Sequence, residues 1–174
     1  LATTIADIKQ DATNVIYYTS SDGNIVTPYN TGSFGANIVS NTYSNGQGII
    51  SFDGSVTEIG YEAFAWCESL TSVTIPESVT TIGEWAFAHC HNLTSVTIGD
   101  SVTTIGNDAF AACEILTSVY ISDISAWCNI SFRNSSSNPL SGGCNLYLNN
   151  ELVTDLTIPD SVTTIGDYAF ENCN

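Results

Sequence analysis

His89, Cys90 and His91 stand in a row, and a thiol flanked by two imidazoles is the first place in this chain where metal chemistry suggests itself. A tetrahedral site needs its ligands to converge. If Cys90 points into a core, its neighbours point elsewhere, so the trio reads as a surface histidine pair around a buried thiol. The chain holds six cysteines and no Cys-x-x-Cys pair, so their spacing carries no zinc or redox motif. Cys67, Cys90, Cys113 and Cys173 recur in like surroundings and read as a ladder of small buried thiols. Cys128 and Cys144 fall outside that series. They either remain thiols or bridge if the compartment is oxidising, and spacing does not decide between the two.

Nucleophilic catalysis finds no foothold. There is no Gly-x-Ser-x-Gly, no His-Glu-x-x-His and no phosphate-binding glycine loop. The two histidines, His89 and His91, sit on one short segment, which argues against a Ser–His–acid arrangement. No catalytic residue, metal ligand or cofactor is expected. Asn92, Asn129 and Asn134 each open an Asn-x-Ser/Thr sequon, a signal that matters only in a host that glycosylates it.

Charge narrows the partners. Eighteen acidic residues face two basic ones, Lys9 and Arg133, for a net charge of −16. A polyanion such as nucleic acid is repelled by that balance, and so is an anionic membrane surface. Cations or basic partners are favoured. No apolar run approaches the roughly 20 residues of a membrane-spanning helix, so membrane insertion is not expected. The chain starts at Leu1 and contains no Met, which reads as a mature or excised segment.

The elements that position these residues come from a repeat. Residues 47–69, 70–92, 93–115 and 153–174 align without gaps, and a further unit begins at 116 but departs after Ser122. In "LTSVTIPESVTTIGEWAFAHC", Leu70, Val73 and Ile75 are apolar while Ser72 and Thr74 alternate with Val73 and Ile75. That period of two predicts a short strand. A turn follows at Pro76–Ser78, and its equivalents are Asp53–Ser55, Gly99–Ser101 and Pro159–Ser161. Ile82, Ala86, Phe87 and Cys90 then fall at helical spacing and predict a short helix over about 83–90. An acid opens it in each copy, Glu62, Glu84, Asp108 and Asp167, which suits a helix N-terminus.

One unit cannot fold alone. The burial offered by about six large apolar side chains falls well short of the entropy lost in ordering 23 residues. Units must therefore stack, about 4.8 Å apart on the strand side. This explains why Leu, Val, Ile, Phe and Cys persist between copies while Pro76 becomes Gly99 and Trp85 becomes Asp108. Inward positions meet their own equivalents in the next unit. Phe64, Phe87, Phe110 and Phe170 should line up in a dry column.

Residues 14–46 do not repeat. Two strand-like runs around Asp22-Gly23 predict a hairpin, so 14–46 reads as a β cap, with 1–13 a linker or docking segment. The solenoid then occupies 47–174, with an irregular unit at 116–152. At the far end no polar capping unit is seen. Either the chain was cut from a longer array, or the open end meets another copy head to tail and builds a filament.

Ser72, Thr74, Ser95, Thr97, Ser118 and Tyr120 should point outward from the strands, as should Asp155 and Thr157. Files of hydroxyls on a flat sheet suit ice or polysaccharide, and they equally suit any solvent-facing strand. Tyr120 and Asp155 interrupt the files and argue against ice. The irregular unit gathers Tyr120, Trp127, Phe132, Arg133 and Tyr147. Aromatics and Arg dominate interfaces, though Trp127 and Phe132 suit a core equally well.

The unit "IP-x-SVTTIG-x-x-AF-x-x-C" resembles the BspA-like leucine-rich repeat, a 23-residue class of bacterial surface proteins, and the resemblance covers about 47–174. The irregular stretch is similar to an insert of that class. The resemblance implies an α/β leucine-rich-repeat solenoid, right-handed, of about five rungs of short strand, turn and short helix, to which the hairpin signal at Asp22-Gly23 adds an N-terminal β-hairpin cap. It implies an extracellular or cell-surface protein that recognises or adheres to a protein or glycan, and no enzyme. Leucine-rich repeats resemble one another in binding through the strand face. On this chain that face carries Ser72, Thr74, Ser95, Thr97, Ser118 and Tyr120, joined by Trp127, Arg133 and Tyr147 of the irregular unit. Asp100-Ser101-Val102 and Asp160-Ser161-Val162 look like the O-glycosylation signal of Bacteroidetes surface proteins, although a turn Asp-Ser already accounts for them.

Overall fold

Val73, Val96, Val119 and Leu146 sit side by side in a computed structural model that describes residues 12–172. The segment 1–13 lies outside the described residues except for its last two members, and so does Cys173. Two sheets carry the repeats. The larger contains β5 (Leu70–Thr74), β7 (Ser95–Thr97), β9 (Ser118–Ile121) and β11 (Asn145–Leu148), each parallel to the next. The smaller contains β4 (Glu58–Ile59), β6 (Thr81–Ile82), β8 (Thr104–Ile105) and β10 (Ser131–Phe132), also parallel and in chain order. The units 47–69, 70–92 and 93–115 thus each contribute one strand to each sheet, and the alternation seen in "SVTI" places Val and Ile between them. The core runs unbroken from Ile16 and Phe34 through Phe64, Phe87 and Val96 to Leu146.

The predicted helix over 83–90 is not formed. Residues 84–89 are consecutive turns, and the same holds at 61–66 and 107–112. Two residues in each of these segments have left-handed backbone: Glu62 and Trp66, Trp85 and His89, Asp108 and Ala112. Hydrogen bonding shows why. Alternate N–H groups bond within the unit, Ala63 to Gly60 (3.2 Å), Ala65 to Glu62 (3.3 Å) and Cys67 to Phe64 (3.1 Å). Those between them reach the next unit, Glu62 to Glu84 (3.1 Å), Phe64 to Ala86 (2.7 Å) and Trp66 to Ala88 (2.9 Å). A helix would use every N–H internally and would need 8–10 Å between neighbours, whereas strands stack at about 4.8 Å. A turn ladder keeps the strand spacing on this side too. The acids at 62, 84 and 108 consequently cap no helix.

The N-terminal region departs from the expected hairpin. A turn does form at Asp22-Gly23, where the Asp22 carboxylate accepts from the Asn24 N–H (3.0 Å). The chain beyond it does not pair back. Instead β1 (Val15–Ser20) lies between β3 (Gln47–Phe52) and β5, antiparallel to both, and β2 (Ile38–Ser44) covers the outer side of β3. The strand of the first repeat copy is therefore separated from its expected parallel neighbour by β1.

The irregular stretch contains the one α-helix among the described residues, α1 (Ile124–Cys128), whose N-cap Asp123 accepts from the Ser125 N–H (2.7 Å). Short 3-10 turns follow at Ser135–Ser137 and Pro139–Gly142. The chain then rejoins the larger sheet as β11 and turns back as β12 (Glu151–Leu152). Residues 153–172 carry the repeat sequence and form no strand.

Phe64, Phe87 and Phe110 do form a dry column, with ring centroids 5.4 and 5.2 Å apart and planes within 12°. Phe34 caps its N-terminal end edge-on at 5.6 Å. Phe170 is only half-buried, because residues 134–142 intervene: the Phe110 N–H already bonds the Ser136 carbonyl (3.0 Å).

Candidate functional site

The strand face presents two outward files. One runs Thr19, Ser72, Ser95, Ser118, Asn145 and the other Tyr17, Thr74, Thr97, Tyr120, Tyr147, each residue beside the next across the sheet. The side chains are half-buried by their neighbours apart from Asn145, which is exposed. Part of the first file is structural, since the Thr19 hydroxyl bonds those of Thr71 and Ser72 (2.6 Å each). Thr80, Thr94, Thr103 and Thr117 also spend their hydroxyls on carbonyls of the preceding unit (2.9–3.4 Å). The hydroxyls of Thr74, Ser95, Thr97 and Ser118 make no hydrogen bond to a described residue, which leaves a polar patch beside the aromatic end of the face. There Tyr120 and Tyr147 stack with centroids 4.7 Å apart and planes 20° from parallel.

Two residues expected on this surface are not there. Trp127 is 1% exposed, packs on Phe132 (5.2 Å) and donates its indole N–H to the Ala169 carbonyl (2.9 Å). A large ring with a satisfied N–H is core, and it ties the last repeat to the irregular unit. Arg133 follows β10 and bonds the Ile105 carbonyl through its N–H (3.2 Å). It is exposed beside the smaller sheet, away from the tyrosine pair. The structure thus brings Ser72, Thr74, Ser95, Thr97, Ser118, Tyr120 and Tyr147 together and leaves out Trp127 and Arg133.

The modification and redox candidates separate in the same way. Ser101 and Ser161 are exposed in turns. Asn92 and Asn129 are exposed, with amides donating to Glu68 and Ser125 carbonyls (2.7 and 2.8 Å). Asn134 is engaged on both sides of its amide, by the Asp108 carboxylate (3.1 Å) and the Ser137 hydroxyl (2.8 Å). Cys128 and Cys144 are not joined, and the Cys144 thiol donates to the Leu116 carbonyl (2.8 Å). Cys90 and Cys113 donate likewise to Phe64 and Phe87 (3.0 and 3.2 Å). Burial pushes the Cys67 thiol up to about 11 and that of Cys113 up to about 12, with Cys90 raised for the same reason. These are neutral thiols at pH 7, poor as nucleophiles and as metal ligands. Among the described residues no three His, Cys, Asp or Glu side chains are grouped to hold a metal ion.

A second cluster escaped the sequence reading. Position 66 of one unit is position 89 of the next, so Trp66 and His89 stack at 5.6 Å with planes 7° apart. Trp85 meets Trp66 edge-on (6.4 Å), His91 meets His89 (5.7 Å), and Tyr29 of the N-terminal region closes on Trp66 (5.1 Å). A cleft of about 380 Å³ opens beside them, walled by Ile25, Thr27 and Tyr29 on one side and Trp66, Glu68 and Ser69 on the other. The available signal was Trp at two repeat positions, one otherwise Glu62, Asp108 and Tyr168 and the other His89, Ala112 and Asn172.

The family described as "BspA type Leucine rich repeat region (6 copies)" matches residues 33–147 and 141–174. Among solved structures, a leucine-rich repeat protein from Bacteroides ovatus is 27% identical. It aligns over 91% of this chain and 37% of its own, with a TM-score of 0.47. The T. pallidum leucine-rich repeat protein is 27% identical over 71% of this chain and 51% of its own, TM-score 0.41. A leucine-rich cell surface protein from Faecalibacterium prausnitzii is 30% identical over 69% and 28%, TM-score 0.45. The chain thus spans between 28% and 51% of the length of these three relatives. No curated protein gives a significant match.

Proposed function

The chain belongs to the BspA-type leucine-rich-repeat family, and from that premise we propose that it is a non-catalytic recognition module of the bacterial cell surface or extracellular space. Its repeats form a solenoid of about five rungs, and it docks a protein or glycan on the strand face. The observation that carries the reading is the pair Tyr120 and Tyr147, stacked at 4.7 Å at the end of a row of unengaged hydroxyls. Preordered aromatic rings next to adaptable polar groups give contact area at low entropic cost. The relatives are leucine-rich repeat proteins, one called a cell surface protein, and that supports the location. No helix among the described residues is long and apolar enough to cross a membrane.

The test is a screen of immobilised extracellular proteins and glycans with the wild type and a Tyr120→Ala/Tyr147→Ala variant. Both rings lie on the outer face, so the variant should fold normally. A true ligand should bind it at least about tenfold more weakly, as expected when two interface aromatics are removed. Ligands found by the screen that bind the variant unchanged would rule this face out.

One observation favours a second reading, self-association through the C-terminal end. Leu156 and Ile165 are 37% and 45% exposed, while their repeat equivalents Val96 and Ile105 are fully buried. An apolar face of this kind is completed either by a further repeat of the same polypeptide or by a second copy of this chain, the latter a head-to-tail, non-closing contact. Sedimentation velocity over a hundredfold concentration range should then show growing species in the wild type that Ile165→Glu abolishes. A constant monomer would end this reading.

A further inference from the structure

The strip formed by Tyr29, Trp66, Trp85, His89 and His91 lies on the turn side of the repeats and takes no part in the strand face. Three observations show that packing does not require it. Trp66 is 41% exposed and Tyr29 61%. Neither the Trp66 nor the Trp85 indole donates a hydrogen bond to a described residue, whereas buried Trp127 does. Most telling is the backbone: Trp66, Trp85 and His89 all have positive φ, 55°, 60° and 61°. Left-handed backbone penalises a bulky side chain. At the same repeat positions the chain elsewhere uses Glu62, Asp108 and Tyr168, or Ala112 and Asn172, which share the conformation. The turn ladder therefore does not itself call for a ring here, since Glu, Asp, Ala and Asn serve at the same positions, yet three neighbouring ones carry Trp66, Trp85 and His89, with Trp66 in contact with both others.

The charge around the strip says what it would take. Glu68 lines the cleft between Tyr29 and Trp66. Glu62, hydrogen bonding to the Tyr61 phenol, and Glu84 beside it together push that phenol above its ordinary value. The sole Lys or Arg among the described residues, Arg133, belongs to the irregular unit. Electron-rich ring faces rimmed by carboxylates, on a chain of net charge −16, complement a cation. We propose that this strip docks a basic peptide segment of a partner protein. An Arg or Lys side chain enters the Tyr29–Trp66 cleft, its charge set over the indole and against the Glu68 carboxylate. The cleft of about 380 Å³ admits one long side chain. The neighbouring Trp85 and His89 rings supply a surface for the next residues of the peptide.

The test titrates the whole chain with the peptide acetyl-(Gly-Arg)4-amide at 150 mM salt, following tryptophan fluorescence and calorimetry. Its neutral Gly-Gln analogue and the hexasaccharide cellohexaose are titrated in parallel. The Arg peptide should bind saturably. Trp66→Asn, a residue used at the equivalent position 172, should weaken it about fivefold or more, consistent with loss of a cation–π contact. Glu68→Gln should weaken it as well. Both variants should leave strand-face binding and thermal unfolding intact, which separates this site from the one proposed above. Equal affinity of wild type and Trp66→Asn would overturn the proposal, because attraction would then be only the net charge. Binding of cellohexaose without binding of the Arg peptide would overturn it in favour of a glycan platform.

Discussion

Phe87→Ala should cost about 3–5 kcal/mol, the range for removing a buried Phe, and should lower the unfolding midpoint by roughly 6–20 °C in a chain of this size. Phe87 is fully buried and stacks on Phe64 at 5.4 Å and on Phe110 at 5.2 Å. Truncation empties the centre of the column and ends both ring contacts, each worth about 0.5–1.5 kcal/mol beyond area. The cavity cannot close, because backbone ladders hold the units at fixed spacing on both sides of it. Domains have only about 5–15 kcal/mol to lose. Phe170→Ala is the internal comparison, since the same residue type at the same repeat position is half-buried and outside the column. It should cost about 1–2 kcal/mol less, in line with its smaller burial. Urea unfolding followed by circular dichroism measures both. Equal costs for the two variants would show that the ring column contributes nothing of its own.

The second large effect comes from a missing side chain. A Cβ at Gly106 would lie 2.5 Å from the Glu84 N and 2.7 Å from the Gly83 carbonyl carbon. At Gly83 it would lie 2.6 Å from the Gly60 carbonyl carbon. These are backbone atoms of the preceding unit, already tied by the Gly106 N–H to Ile82 carbonyl bond of 2.8 Å, so they cannot step aside. Gly106→Ala should therefore destabilise by about 3 kcal/mol or more, at or beyond the top of the usual overpacking range. Left-handed backbone has no part in this, since only close approach of two chains demands the glycine. Gly142→Ala is the control. A Cβ there meets nothing nearer than the Cys144 sulfur at 4.0 Å, and its effect should stay within about 0.5 kcal/mol. Thermal melts of the two variants side by side decide the matter. A Gly106→Ala protein as stable as the wild type would mean that the units can separate locally at little cost.

Much of this was legible because the repeat writes each inward position several times. Val73, Val96 and Val119 occupy one repeat position and so belong to one row, and the register bears that out. Phe64, Phe87 and Phe110 were readable for the same reason. The helix over 83–90 was misread because Ile82, Ala86, Phe87 and Cys90 face inward in two successive turns as they would in a helix. The residues that adopt left-handed backbone, Glu62, Trp85, His89 and Asp108, are not the glycines that normally advertise it. Nothing in "VIYYTS" reveals that β1 inserts between β3 and β5, since pairing partners distant in sequence leave no local mark. Trp127 illustrates a different limit. Composition favours it equally for a core and an interface, and its bond to the Ala169 carbonyl depends on which unit lies above it. Tyr120 and Tyr147 were found as members of the irregular unit, yet their stacking rests on a 27-residue offset that breaks the 23-residue period. The aromatic strip leaves no mark in the strand pattern, because Trp66 and His89 share a repeat position in the turns.

The irregular stretch between β9 and β11 carries one more consequence. It contains a helix, two 3-10 turns and a strand of the smaller sheet, yet Ser118 still pairs with Asn145 and Thr104 with Ser131. Each level of the structure asks of its neighbour only a hydrogen-bonding edge and a few apolar contacts. Extra codons can therefore enter between two copies without upsetting those on either side. A gene of this type can diversify by splicing new excursions into an unchanged frame, so related chains with the same backbone scaffold can display unlike exteriors.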